Sequence, residues 1–192
     1  MESTDKKIPC YVLIYFDYET TKKSLDFLVR YSSRLDIMVI ENYNEYTHKQ
    51  IRPYVADLLN QGKIIKYFLF DENIGFNAVE AVMKHEREEL LEKHDYFILT
   101  DGDFTTHDAL WMNERLSLME NPKLISSDIH PGMANLKSTE ASKNNYLDGQ
   151  TGWTFTILET KNFFSMLDKA KSQEIKLSDE KVYQIAKHFN LK

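Results

Sequence analysis

Short, continuously apolar runs alternate along the first 120 residues with longer segments whose apolar positions recur every three or four residues. The runs cover residues 10–16, 36–41, 63–70 and 95–100. Each is long enough for a buried strand and too short for a buried helix. The first intervening segment, 20–33, carries Leu25, Leu28 and Val29 on one helical face, with Thr20 or Thr21 as the expected cap. The second, 51–61, has Pro53 in its expected first turn and Gly62 as its stop. The third, 76–93, uses Val79, Val82, Met83, Leu90 and Leu91, and a fourth, 106–121, uses Ala109, Met112, Leu116 and Met119. Apolar strands alternating with amphipathic helices predict an α/β fold, with a mostly parallel sheet covered by helices on both faces. Ligands in such sheets bind beyond the carboxyl ends of the strands. The residues to inspect are therefore those just after Phe16, Glu41, Phe70 and Thr100.

Beyond residue 121 the pattern weakens. Residues 124–127 read as a short strand. Residues 128–152 show no period and are rich in Gly, Asn, Ser, Lys and Thr, which suits a lid or binding loop. Residues 153–158 alternate like a strand, and 160–171 form a helix with Phe163, Leu167 and Ala170 inward. A last helix over 179–190 places Val182, Ile185, Ala186 and Phe189 together, with Ser178 as cap.

Composition narrows the function classes. The chain has 192 residues, 42% of them hydrophobic, which fits one globular domain rather than a disordered segment. Its net charge is −6, which argues against a general attraction to nucleic acid phosphates. Residues 161–192 hold seven lysines against four acidic residues, so the remainder carries a net −9. An acidic body can recruit a cation, and the basic C-terminal helix could touch anionic lipid from the side. A single cysteine, Cys10, excludes an internal disulfide and fits a reducing compartment. No run approaches the roughly 18 apolar residues of a membrane span, and the first seven residues lack an apolar signal core. A cytoplasmic protein, in peripheral contact with a membrane at most, is expected.

The strand ends carry the candidate chemistry. After the fourth strand stands Asp101-Gly102-Asp103, two carboxylates bracketing a glycine. Two like charges so close are costly unless water or a cation offsets them. Mg or Mn favours such oxygen ligands, completed by phosphate and water. Gly102 would allow the backbone to approach a ligand closely. After the third strand, Asn73-Ile74-Gly75 opens a helix whose first amides could meet an anion. Glu41-Asn42 follows the second strand and Phe16-Asp17-Tyr18 the first. Each pairs a carboxylate that can accept from a base or ribose with a nearby aromatic that can stack.

In the order of these elements, over about residues 8–190, the chain resembles GT-A glycosyltransferases. The nearest are family 2 and its rhamnosyltransferase-like members. The resemblance implies a Rossmann-like single domain over 1–192, with a donor half at about 1–105 and an acceptor half at about 106–192. Phe16-Asp17 stands where the family has an aromatic–Asn pair, with Asp replacing Asn. Glu41-Asn42 matches its nucleoside-reading acidic residue, and Asn73-Ile74-Gly75-Phe76 its Asn-x-Gly-Phe element. Asp101-Gly102-Asp103 matches its Asp-x-Asp, which implies that Asp101 and Asp103 hold Mn or Mg. Gly152-Trp153 resembles the strand lining the acceptor side. The family's second Asn is missing, since Glu80-Ala81 stands near that point. An acidic pair at the start of a late helix supplies the family's general base. Asp179-Glu180 has that position, with Asp148 as the competitor and His130 as a further metal-ligand candidate.

The implied reaction moves a sugar from a nucleotide-diphosphate sugar, a UDP-sugar first, to a glycan, lipid-linked or protein hydroxyl, with inversion. A homodimer could complete the acceptor site. Two other classes remain beside it. Asp101-Gly102-Asp103-Phe104-Thr105 also fits the Asp-x-Asp-x-Thr nucleophile motif of haloacid-dehalogenase-like phosphatases. That motif normally ends the first strand of its domain, whereas three strand–helix units precede it here. A non-catalytic nucleotide-sugar-binding module would share the same strand-end residues. A sugar nucleotidyltransferase is disfavoured, because no glycine precedes Gly62 to build a triphosphate loop.

Overall fold

The computed structural model describes residues 7–15, 17–104, 112, 113, 116, 117 and 156–172. In chain order these form β1 (Ile8–Ile14), α1 (Tyr18–Leu28), a 3-10 turn (Val29–Tyr31), β2 (Leu35–Glu41), α2 (His48–Asn60), β3 (Lys66–Leu69), α3 (Asn77–Lys93), β4 (Tyr96–Asp101), β5 (Thr156–Glu159) and α4 (Thr160–Ser172). The alternation read from the sequence is present from β1 to β4. Residues 112, 113, 116 and 117 are helical, within the expected fourth helical segment. The expected strand at 124–127, the aperiodic stretch 128–152 and the helix at 179–190 lie outside the described residues.

The strands pair in the order β3-β2-β1-β4-β5. β1 runs parallel to β2 and β4, and β2 parallel to β3, while β5 is antiparallel to β4. The chain thus lays β1, β2 and β3 outward in one direction, then returns to place β4 on the other side of β1. Right-handed crossovers put α1 and α2, which lead outward to β2 and β3, on one face, and the reversal of direction puts α3, which leads to β4, on the other. Val12, Ile14, Ile37, Val39 and Ile98 pack on one face with Leu25 and Leu28 of α1 and Ile51 and Val55 of α2. Tyr11, Met38, Ile40, Phe97 and Leu99 pack on the other with α3 and α4. Strand side chains alternate between faces. Burial of both faces therefore requires the continuous apolar runs that the sequence shows. The result is a mostly parallel, Rossmann-like α/β sheet with helices on both faces.

The helices differ from the sequence expectation in two boundaries and one inward position. α1 is capped by Asp17, whose Oδ1 accepts from the Thr20 amide at 2.9 Å. Thr20 and Thr21 lie inside the first turn, because the β1–α1 connection is short and the helix starts as soon as an acceptor is available. α2 starts at His48, so Pro53 falls in the second turn rather than the first, where it offers no amide to the carbonyl four residues back. Leu91, expected inward, is 37% exposed, while Leu90 is buried. Adjacent helical residues point about 100° apart, so only one of the pair can face the sheet.

Gly62 ends α2 as expected. Its φ is 66°. Its amide donates to the Leu59 carbonyl at 3.0 Å, and the Lys63 amide to the Leu58 carbonyl at 2.9 Å. These are the paired bonds of a Schellman cap, which need a left-handed residue at this position.

Under α3 lies a buried carboxylate. Glu86, 4% exposed, accepts from the Tyr11 hydroxyl at 3.1 Å and from Lys66 Nζ at 2.6 Å. On the opposite face Cys10 is fully buried, and desolvation pushes its thiol pKa well up. Among the described residues no helix is long and apolar enough to cross a membrane.

Candidate functional site

Strand register sets the site. Leu13 of β1 is level with Asp101 of β4, Ile14 with Glu41 of β2, and Glu41 with Leu69 of β3. Backbone bonds extend the ladder past the strand ends. The Gly102 amide donates to the Leu13 carbonyl at 2.7 Å, Asn42 to Ile14 at 3.0 Å and Phe70 to Glu41 at 3.1 Å. Residues 17, 41–42, 70–75 and 101–103 therefore share one edge of the sheet. The β1–β4 boundary, where the strand order reverses, is the usual ligand crevice of such folds.

Asp101-Gly102-Asp103-Phe104 forms a turn closed by the Phe104 amide donating to the Asp101 carbonyl at 3.2 Å. Phe104 is buried and packs edge-on against Phe27, with ring centroids 5.9 Å apart. The turn is thus anchored by β4 before it and by a core aromatic after it. Asp103 is exposed at its tip. The structure gives Gly102 a packing reason beside the expected close approach to a ligand. A Cβ at Gly102 would lie 2.8 Å from Ile14 Cγ2 and 3.0 Å from the Leu13 carbonyl oxygen. The glycine lets the turn lie directly on the end of β1. Gly102→Ala should therefore cost about 1–3 kcal/mol through overpacking, read as a lower midpoint in denaturant. An unchanged midpoint would show that the turn can move off β1 freely.

Two aspartates suit a hard divalent ion. Mg or Mn commonly takes one or two carboxylates and completes its shell with substrate phosphate and water. Asp101 and Asp103 fit that donor set when a diphosphate supplies the rest. Among the described residues, no group of three or more His, Cys, Asp or Glu side chains is arranged to hold an ion alone.

The other strand ends are tied together by side chains. Asn42, 4% exposed, donates from Nδ2 to Asn73 Oδ1 at 2.9 Å and accepts at Oδ1 from the Ile74 amide at 2.9 Å. Asn73 Oδ1 also accepts from the Gly75 amide at 3.1 Å. Gly75 has φ 58°, so it supplies the left-handed step that opens α3. Asn44 Nδ2 donates to the Tyr15 carbonyl at 2.9 Å, joining the loops after β1 and β2. Tyr15, Thr21, Asn44 and His48 border a recess of about 10 Å³, room for about one water-sized group.

Glu41 is 3% exposed, and both its oxygens are engaged. Arg52 Nε donates to Oε1 at 2.9 Å, and the Tyr67 hydroxyl donates to Oε2. The Glu41 hydrogen bond holds the Arg52 pKa above its usual value, while burial, then Glu41, pushes the Tyr67 phenol up. Asp17 is exposed, and the Thr20 amide keeps its carboxyl below the usual range. In this arrangement Asp17 serves as the α1 cap. Tyr18, expected as a stacking partner for a ligand, is the first residue of α1 and packs edge-on against Tyr54 at 6.1 Å.

The structure thus brings Asp17, Glu41, Asn42, Asn73, Gly75, Asp101, Gly102 and Asp103 to one edge. Phe16, His130, Asp148, Gly152, Trp153, Asp179 and Glu180 lie outside the described residues. Sequence reasoning missed Arg52 and Tyr67. Their partner Glu41 is 11 and 26 positions away, and neither spacing carries a local signal.

No protein-family model matches the chain. It is 33% identical over 205 residues to the uncharacterized protein L142 of Acanthamoeba polyphaga mimivirus, covering 100% of this chain and 42% of that one. It is 35% identical over 192 residues to the uncharacterized protein L137 of the same virus, covering 93% of this chain and 26% of the relative. The chain therefore spans less than half the length of these curated relatives. Among solved structures, residues 1–349 of S. aureus TarS superpose with a TM-score of 0.51 at 11% identity, covering 91% of this chain and 51% of that one. The apo-form glycosyltransferase GlyE of Streptococcus pneumoniae TIGR4 gives a TM-score of 0.44 at 14% identity, covering 92% and 42%. The TarS match establishes a shared fold.

Proposed function

We propose that this chain is the catalytic domain of a glycosyltransferase that binds a nucleotide-diphosphate sugar at the β1–β4 strand ends and transfers its sugar to a hydroxyl acceptor. The observation that carries the reading is the convergence of Asp101-Gly102-Asp103, Glu41-Asn42 and Asn73-Ile74-Gly75 on one edge of a β3-β2-β1-β4 sheet. The family 2 resemblance of the same motifs and the fold shared with TarS support it.

In this reading Asp101 and Asp103 would hold Mn or Mg, which when bound would supply charge neutralisation for the diphosphate leaving group. The protein's own residues do the rest. The clasped loops after β2 and β3 orient the nucleoside, with a UDP-sugar as the first donor to test. A carboxylate at Asp179 or Glu180, with Asp148 as the alternative, takes the proton of the acceptor hydroxyl as that oxygen attacks the anomeric carbon and the bond to the nucleoside diphosphate breaks, with inversion. Gly152 and Trp153 belong to the acceptor side, and residues 128–152 exclude water, the competing acceptor. A glycan, a lipid-linked sugar or a protein would be the acceptor.

Thermal unfolding tests the donor site. UDP-, GDP- and dTDP-sugars are each added with Mn, Mg or EDTA. Ligand at a hundred times its dissociation constant adds about 2.7 kcal/mol, which for a domain of this size raises the midpoint by roughly 5–10 °C. A rise for one nucleotide class that needs the metal supports the reading. No rise with any donor sinks it.

A further inference from the structure

We propose that Arg52 is a positioning residue of this nucleotide site: it holds the Glu41 carboxylate and the turn after β3 as one unit, and so sets how tightly the strand ends take a nucleoside diphosphate. The inference rests on the nucleotide reading above and adds a residue on α2 that neither the motifs nor the strand-end pattern includes.

Arg52 lies in the second turn of α2 and reaches two different strand ends. Its Nε donates to Glu41 Oε1 at 2.9 Å, at the end of β2. Its Nη2 donates to the Phe70 carbonyl at 3.4 Å and to Asp71 Oδ1 at 3.2 Å, just past β3. The Glu41 side chain is 4% exposed and that of Asp71 is 91% exposed. One guanidinium therefore spans from a buried carboxylate to the solvent-facing rim. With Tyr67 on the other oxygen, the orientation of Glu41 is set by protein groups alone. Asn42 grips the same turn three residues further on, through Asn73, Ile74 and Gly75. The segment 70–75 is thus pinned to the end of β2 at both of its ends, by Arg52 at one and Asn42 at the other.

This geometry needs arginine. The guanidinium presents several donors in one rigid plane, whereas the lysine ammonium is a point charge on a flexible stem. Lysine at this position keeps the charge beside Glu41 but cannot serve Glu41, Phe70 and Asp71 together. A role confined to holding the fold and a role in positioning therefore separate in Arg52→Lys: the first lowers the melting midpoint, the second lowers affinity.

Calorimetric titration with UDP, GDP and dTDP in the presence of Mn, beside thermal unfolding, makes the test. For the nucleotide that the wild type takes, Arg52→Lys is expected to raise Kd on the order of tenfold, equivalent to about 1.4 kcal/mol, with the midpoint almost unchanged. The double variant Glu41→Gln/Arg52→Met removes both charges without leaving a buried carboxylate alone, so it should remain folded. It should show a loss of affinity at least as large. Wild-type affinity in both variants overturns the proposal, as does an affinity loss in Arg52→Lys that appears only together with a collapsed midpoint. If the wild type takes none of the three nucleotides, the nucleotide reading itself falls and takes this inference with it, a result distinct from unchanged binding in the variants.

Discussion

Replacing Asp103 with alanine should lower the rate of nucleoside diphosphate release from the donor sugar by at least about a hundredfold, while leaving the protein as stable as before. The two halves of that expectation have separate causes. Asp103 is exposed at the tip of its turn. The fold depends instead on its neighbours: Gly102 lies on β1, and Phe104 sits in the core. Removing an exposed side chain at such a position typically shifts stability by no more than about 0.5 kcal/mol. A divalent ion on the diphosphate contributes several kcal/mol of transition-state charge stabilisation, and a loss of about 2.7 kcal/mol is a hundredfold in rate. The measurement is release of nucleoside diphosphate from whichever nucleotide-sugar raises the wild-type midpoint, across a Mn titration. A variant that keeps the wild-type rate and Mn dependence would remove Asp103 from the metal-holding role. A variant that unfolds would show instead that the turn is structural.

The largest effect on stability is expected at Lys66. Glu86 is 4% exposed, and its Oε2 accepts from Lys66 Nζ at 2.6 Å and from the Tyr11 hydroxyl at 3.1 Å. Lys66 also reaches Glu89 Oε2 at 3.0 Å. Lys66→Met leaves a buried carboxylate with its cation gone. Breaking a buried pair from one side costs about 3–5 kcal/mol. The Lys66 side chain is 35% exposed, so solvent screens part of the interaction and about 2–3 kcal/mol is the expected cost. At roughly 2–4 °C per kcal/mol for a domain of this size, the midpoint should fall by about 4–12 °C. Lys66→Met combined with Glu86→Gln should recover most of that loss, because the neutral amide leaves no charge to desolvate and its oxygen can still accept from the Tyr11 hydroxyl. If the double variant is no better than the single one, Lys66 matters through its packing rather than through its charge.

Much of this molecule was legible from the order of residues alone. The runs at 36–41 and 95–100 became β2 and β4 to within a residue at each end. Their continuous apolar character carried the parallel, doubly covered sheet with them. Gly62 stopped α2 as expected, since the left-handed step of its cap depends on one residue and its immediate neighbours. The location of the candidate site was legible for a related reason. In a sheet of this kind the carboxyl ends of parallel strands share an edge, so the few residues just past each apolar run are enough to assemble it.

The roles of those residues were decided by the tertiary structure. Asp17 and Glu41 look alike in sequence, as carboxylates after apolar strands. One caps α1 through the Thr20 amide in full exposure, and the other is buried between Arg52 and Tyr67. Gly102 reads as a position for a ligand, and the tertiary structure adds a second constraint, because Ile14 and the Leu13 carbonyl stand where a Cβ would be. Tyr18 reads as a stacking ring, and its partner within the protein, Tyr54, was supplied by the packing of α1 on α2. Strands, helices and the glycine stop of α2 follow from local periodicity and backbone geometry, which a sequence records directly. The partner of a buried charge, or the atom that excludes a methyl group, is set by residues distant in the chain that only strand order and helix crossing bring within about 3 Å.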